Sequence, residues 1–231
     1  MTLDFCRNWT FCKEGETPVT VDLPHDAMLL EKRDGGCRNG VNSGYFPGGK
    51  YTYGKTFELD AAMPGKSVAL HFEGVYQNCK VYVNGKLAGS HRYGYTAFDV
   101  DISDFAESGE NNIRVEVDNS LEPNCRWYSG SGIYRNVWLV KVNPVHVDNW
   151  GTFVHDMKIS SEEATFALEV RIRNSSEADR EAEVSTSIYD DRNKVVTASV
   201  TTLLRVPYTP CYDARMRETS VDHPVSYTHL T

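Results

Sequence analysis

The chain has 231 residues, 40% hydrophobic and 24% charged, which suits one large or two modest globular domains. A net charge of -8 and the lack of any basic run exclude a phosphate-tracking surface, and so a nucleic-acid partner. No apolar run approaches the ~20 residues of a membrane span. Met1 to Arg7 lacks a basic region followed by an apolar stretch, so the expected location is cytoplasmic, with no membrane partner.

Along the chain the dominant period is two. Pro47-Gly48-Gly49 and Pro64-Gly65 are turn signals ahead of a first alternating run, in which Val68, Leu70 and Phe72 interleave with Ala69, His71 and Glu73. Asn84-Gly85 lies between Val81-Tyr82-Val83 and Lys86-Leu87-Ala88, the pattern of a hairpin closed by a tight primed turn. Phe98, Val100 and Ile102 alternate with Asp99 and Asp101. After the turn signal at 108–112, Ile113, Val115 and Val117 alternate with Arg114, Glu116 and Asp118. Each run reads as a strand with one face buried and one wet.

A glycine-rich segment then leads into a strand over Val137 to Val142. It runs Cys125-Arg126-Trp127-Tyr128-Ser129-Gly130-Ser131-Gly132-Ile133-Tyr134-Arg135. Its glycines allow backbone conformations closed to other residues, its aromatics offer flat apolar faces, and its arginines offer forked donors suited to hydroxyls and carboxylates. A glycine-rich turn carrying core aromatics is the plain alternative.

Pro144 interrupts the pattern and marks an expected domain boundary near 145. New alternation starts at about Asp156, and four strands are expected over Asp156–Ile159, Thr165–Arg173, Glu181–Tyr189 and Lys194–Leu204. An immunoglobulin-like sandwich needs about seven, so residues 146–207 read as a partial one. Residues 208–231 have no period and are expected to be a disordered or artefactual tail, because Val225 to Thr231 resembles a translated transposon-end adapter. No stretch carries a helical stripe. The expected fold class is all-β: a jelly-roll sandwich over 1–145, then an incomplete immunoglobulin-like sandwich.

Chemistry is sparse. Six cysteines, at 6, 12, 37, 79, 125 and 211, form no Cys-x-x-Cys pair and no zinc spacing with histidine, and they read as free thiols. There is no nucleophile elbow, since Gly130-Ser131-Gly132 is one residue too tight, and no phosphate loop. No cofactor and no metal ligand are expected. Asp99 with Asp101 reads as a solvated strand face; Glu162-Glu163 and Asp190-Asp191 read as surface turns. His25 and His71 read as partners of turns or neighbouring strands, and His91 lies near a loop. No catalytic residue is assigned.

Several segments, in order, resemble glycoside hydrolase family 2, the β-galactosidase and β-glucuronidase family. They are Asn8-Trp9-Thr10-Phe11, the Leu23-Pro24-His25-Asp26 turn, Gly44 to Gly49 before Tyr53-Gly54-Lys55-Thr56-Phe57, Phe72 to Asn78 before Val81 to Gly85, Gly94-Tyr95-Thr96-Ala97-Phe98, the glycine-rich segment, and Gly151-Thr152-Phe153-Val154. The resemblance covers about residues 5 to 205. It implies a sugar-binding domain followed by part of an immunoglobulin-like domain.

In the family the reaction occurs in a (β/α)8 barrel that follows these domains, where two glutamates act as acid/base and nucleophile. Retaining hydrolysis needs two carboxyls about 5 to 5.5 Å apart, and a barrel takes about 250 residues. The chain therefore reads as a C-terminally truncated fragment, inactive alone. Its implied partners are a β-linked oligosaccharide or glycoside, the catalytic barrel of the same polypeptide, and further copies in a homo-oligomer. A loop of this domain reaches the substrate pocket in the family, and by resemblance the positions for it are Asn124, Arg126, Trp127 and Tyr128. Aromatic rings there can stack on a sugar, while Asn124 and Arg126 can bond hydroxyls. The loop from Gly36 to Gly49, with Asn39, Asn42 and Tyr45 expected to be exposed, is a second candidate. A stand-alone carbohydrate-binding module and a purely structural domain are the rival readings.

Overall fold

The computed structural model describes residues 1–60, 67–125, 127–161, 164–192, 200–208 and 226–230. The Pro64-Gly65 turn, Arg126, Glu162-Glu163, residues 194–199 of the fourth expected strand and Cys211 lie outside the described residues. The described residues are strands and loops with two short 3-10 turns, Ala27–Leu30 and Gly40–Ser43. The chain divides into two compact units, Met1–Lys141 and Val142–Thr231.

The first unit is a sandwich of two antiparallel sheets, of jelly-roll type. One sheet has the order β1 (Thr2–Asp4), β10 (Val137–Val142), β5 (Ser67–Phe72), β8 (Phe98–Asp101). The other has the order β3 (Val19–Val21), β2 (Trp9–Lys13), β4 (Lys50–Leu59), β9 (Gly109–Asp118), β6 (Cys79–Val83), β7 (Lys86–His91). The alternation in sequence becomes the two faces of these sheets, because side chains on a strand point to opposite sides in turn. Trp9, Tyr53, Leu70, Phe72, Val81, Val83, Ile102, Ile113, Val115 and Ile133 are fully enclosed in one core. Burying each such side chain contributes about 1.5–3 kcal/mol.

The β6–β7 hairpin closes as its sequence demands. Asn84 and Gly85 both take positive φ, +50° and +80°, the primed turn that matches strand twist. The Asn84 amide donates to Phe105 O (2.9 Å), and its Oδ1 accepts from Asn112 N (2.9 Å), so the turn is tied to the start of β9. His71 departs from the expected wet face. It is buried, with Nδ1 2.7 Å from Asp99 Oδ1 directly across the β5–β8 ladder. The partner carboxylate on the same face lets a polar ring sit there.

The second unit holds β11 (Val145–Ile159), β12 (Ala164–Asn174), β13 (Arg180–Thr186), β14 (Val200–Val206) and β15 (Ser226–Leu230). They form a sheet of order β11-β12-β15 and a pair β13-β14. Val170, Ile172 and Val206 are buried, with Leu168, Ala182, Val184 and Leu204 packed on them.

Two expectations change here. β11 begins at Val145 rather than Asp156, because a bulge between Val147 and Thr152 breaks the alternation that marks a strand in sequence. In the tail, residues 209–225 lie outside the described residues, but Ser226–Leu230 is not irregular: it pairs antiparallel with β12, Ile172 opposite Ser226. The open edge of β12 accepts it as a neighbouring strand.

Candidate functional site

At one end of the first unit, five segments meet to form a rim. They are residues 25–31, the loop 34–46, residues 76–78, the loop 93–96 and the glycine-rich segment 119–134. Backbone bonds join the first and last of these: His25 N donates to Ile133 O (2.9 Å) and Ala27 N to Ser131 O (2.8 Å). Tyr76 and Gly132 exchange both backbone bonds, at 3.0 and 2.8 Å. The glycine-rich segment is thus clamped from both sides before it enters β10.

Its glycines meet two demands. Gly130 and Gly132 hold φ of +72° and +95°. A Cβ on Gly132 would overlap the Tyr53 hydroxyl, and one on Gly130 would lie 3.0 Å from Asp26 Oδ2. Only glycine satisfies both the conformation and the space.

Beneath the rim runs a net of amides and hydroxyls. Asn119, fully buried, donates from Nδ2 to Gly130 O (3.2 Å) and Ser131 Oγ (2.5 Å), and its Oδ1 accepts from Gln77 Nε2 (3.4 Å) and from Asn124 Nδ2. Asn124 Oδ1 accepts from the Tyr76 hydroxyl (2.8 Å) and Gln77 Nε2 (3.1 Å). The backbone N–H of Asn124 donates to Asn39 Oδ1 (2.6 Å). Such a net, with each member satisfied, rigidifies what it connects.

The structure separates the four sequence-derived positions. Trp127 and Tyr128 are open to solvent, 72% and 42% exposed. Asn124 is half-buried; its amide ties the 76–78 segment to Asn119, and its backbone N–H reaches Asn39. Arg126 lies outside the described residues. In the second candidate loop, Asn42 and Tyr45 are exposed as expected, but Asn39 is buried because it receives the Asn124 N–H. Tyr134 and Trp138 are half-buried: the Tyr134 hydroxyl donates to Gly94 O (2.7 Å) and Trp138 Nε1 to Glu73 Oε1 (2.8 Å).

Four carboxylates belong to these segments, and each accepts a bond from within the protein: Glu31 from Lys13 Nζ (2.5 Å) and the Tyr51 hydroxyl (3.3 Å), Asp34 from Gly36 N (2.8 Å), and Asp26 and Glu122 as follows. Asp26 accepts from Met28 N (3.0 Å), Ser131 N (2.9 Å) and the Tyr128 hydroxyl (2.6 Å). Glu122 accepts from Cys37 Sγ and Arg38 N, both at 3.1 Å. Below them His25 Nδ1 lies 2.9 Å from the Tyr53 hydroxyl, and burial holds the imidazole below its ordinary pKa. Burial, with the bond to Asp26, pushes the Tyr128 phenol up. Tyr95 is also raised, by burial first and then by its contact with Cys125. Among the described residues no cluster of three or more acidic, histidine or cysteine side chains is placed to hold a metal. Cys6, Cys12, Cys37 and Cys79 are free thiols.

Two aromatic groups, with the exposed Trp127 beside one of them in sequence, therefore sit on a rigid polar base. Phe46 meets Tyr128 edge-on (5.8 Å between centroids), and Tyr95 contacts Tyr76 (5.3 Å) and Tyr93 (5.7 Å). The arrangement can stack a flat apolar face and surround it with donors and acceptors, which is what a pyranose ring asks for. Nothing in it positions two open carboxylates. Sequence reasoning missed Asn119 and expected Asn39 to be exposed, since a lone asparagine beside a strand or in a loop carries no signal of what it bridges. The signal for Asp26 was present in Leu23-Pro24-His25-Asp26, but its tie to Tyr128 spans 102 residues.

The family model for the sugar-binding domain of glycosyl hydrolases family 2 matches residues 43–143, most of the rim included. The chain carries the sugar-binding domain of glycoside hydrolase family 2. It is 39% identical over 177 residues to beta-galactosidase BoGH2A of Bacteroides ovatus, covering 76% of this chain and 21% of that protein. It is 37% identical over 153 residues to a putative beta-glucuronidase of Formosa agariphila, covering 66% of this chain and 15% of that one. A solved family 2 member from Bacteroides cellulosilyticus superimposes with a TM-score of 0.85 at 30% identity, over 99% of this chain and 30% of that chain. The family 2 chain described here thus spans about a fifth or less of the length of these curated relatives.

Proposed function

We propose that this chain is the non-catalytic front of a retaining β-glycosidase, and that its rim meets the glycoside through Trp127 and Tyr128. The observation that carries the reading is the exposed aromatic pair on a fixed base, within a segment matched by the sugar-binding domain model. The relatives named as β-galactosidase and β-glucuronidase support a β-linked glycoside as the substrate class of the whole protein.

Hydrolysis needs one carboxylic acid to protonate the leaving oxygen and a second carboxylate at the anomeric carbon. The rim carboxylates Asp26, Glu31, Asp34 and Glu122 all accept internal donors, so none is left as an open pair and the chain alone is read as holding sugar without cleaving it. The catalytic pair belongs to a barrel elsewhere in the same polypeptide, and the full enzyme is a homo-oligomer.

Incubating the purified chain with nitrophenyl β-galactoside and β-glucuronide tests this. Release of nitrophenol should stay at the buffer rate. Turnover that survives repurification and falls on mutation of residues in this chain would refute the reading.

A further inference from the structure

We infer that Asp26 is a positioning residue, whose carboxylate sets the Trp127–Tyr128 stretch in the place where the rim meets its ligand. The inference rests on the proposed sugar-facing role of that stretch. Asp26 gathers donors from two parts of the chain. Oδ1 accepts Met28 N–H from its own turn and Ser131 N–H from 105 residues away. Two backbone donors on one oxygen fix the carboxylate, and this makes Oδ2 a stationary acceptor. The Tyr128 hydroxyl donates to Oδ2 at 2.6 Å. Bonds to an ionised acceptor are short and about twice as strong as neutral ones, so this contact outweighs the edge-on Phe46 contact in holding the Tyr128 ring.

The space is built around the carboxylate. Gly130, at φ +72°, passes over Asp26, and a Cβ there would sit 3.0 Å from Oδ2 and 3.2 Å from Cγ. The loop is therefore shaped to lie on Asp26, not merely near it. The backbone pairing of 25–27 with 131–133 does not need the carboxylate. Removing the charge should leave the fold in place and loosen only what the Tyr128 hydroxyl holds. Trp127, the neighbouring residue, is largely open to solvent.

The test uses the whole chain as Asp26→Asn, Tyr128→Phe and the double variant, with indole N–H signals read by NMR. The Trp9 indole, buried and bonded to Phe5 O at 2.7 Å, reports the fold. In both single variants the Trp127 indole should lose order on the fast timescale while Trp9 stays unchanged. Methyl β-galactoside or β-glucuronide, whichever the wild type binds, should bind about fivefold to tenfold more weakly in each. The double variant should be no weaker than either single, because both changes remove one interaction. A merely structural carboxylate predicts parallel losses at Trp9, and losses of affinity that multiply in the double variant. Unchanged order at Trp127 in both variants would overturn the inference. If the wild type binds neither glycoside, the sugar-facing reading fails, and the order of Trp127 still decides the role of Asp26.

Discussion

Gly132 lies against Tyr53 so closely that a Cβ on it would overlap the Tyr53 hydroxyl, and Tyr53 is itself fully buried. The contact fixes where the glycine-rich segment crosses the core. Gly132→Ala must both strain a φ of +95° and displace Tyr53. A loss of about 2–4 kcal/mol is expected in urea denaturation. Tyr53→Phe in the same background should recover part of it, since the overlapping atom is gone. A double variant no better than Gly132→Ala would show that the Tyr53 hydroxyl is not the obstacle.

Stability should narrow at both ends of the pH scale. Burial lowers the pKa of His25 in the folded chain from 6.5. Below about that pH the unfolded chain takes up a proton that the folded one refuses, so stability falls as pH drops. Cys79 is buried in β6, and burial pushes its thiol from 9.0 up to about 12. Between those values the unfolded chain has lost a proton that the folded chain keeps, so stability falls as pH rises through that window. The slope from Cys79 alone approaches about 1.4 kcal/mol per pH unit. Cys79→Ala should flatten the alkaline limb and His25→Gln the acid limb, as read from denaturation midpoints across pH. An alkaline limb unchanged by Cys79→Ala would contradict the buried thiol.

Asn119→Ala should cost about 2–4 kcal/mol, because it strips partners from Gly130 O, Ser131 Oγ, Gln77 and Asn124 together. Trp127→Ala should cost under about 0.5 kcal/mol, because the side chain is exposed. Thermal denaturation of the two variants side by side checks the contrast. Equal losses would mean that the base and the rim are not the distinct layers described above.

The two units should also differ in protection. The first encloses one large core, whereas the second buries Val170, Ile172 and Val206 and leaves Val147, Phe153, Val154 and Leu203 exposed. Amides of β13 and β14 should therefore exchange with deuterium before those of β4 and β9. Equal exchange in both sets would show the second core to be as firm as the first.

How far the sequence reached is clear from particular residues. Ile113, Val115 and Val117 were legible as one buried face because a period of two has a single physical source, and Asn84-Gly85 because few turns tolerate paired positive φ. His71 does pair with a neighbouring strand as its sequence reading expects, but its burial was not legible, because alternation cannot see the carboxylate of Asp99 across the ladder. The start of β11 was hidden by its own bulge. Of the rim, the aromatic residues Trp127 and Tyr128 were legible as candidates by type. The internal ties of Asn124 were not legible, since its partners, Tyr76, Gln77 and Asn119, are brought to it only by the fold.

The central claim is that the chain holds a β-glycoside at its rim without breaking it. One NMR titration with nitrophenyl β-galactoside, repeated with the β-glucuronide, reads both halves in the same tube. The account predicts a saturable shift of the Trp127 indole signal at millimolar glycoside, lost in Trp127→Ala, while the anomeric signal of the intact glycoside persists. An indole signal that no glycoside moves, or free sugar that accumulates in proportion to the protein, would contradict it.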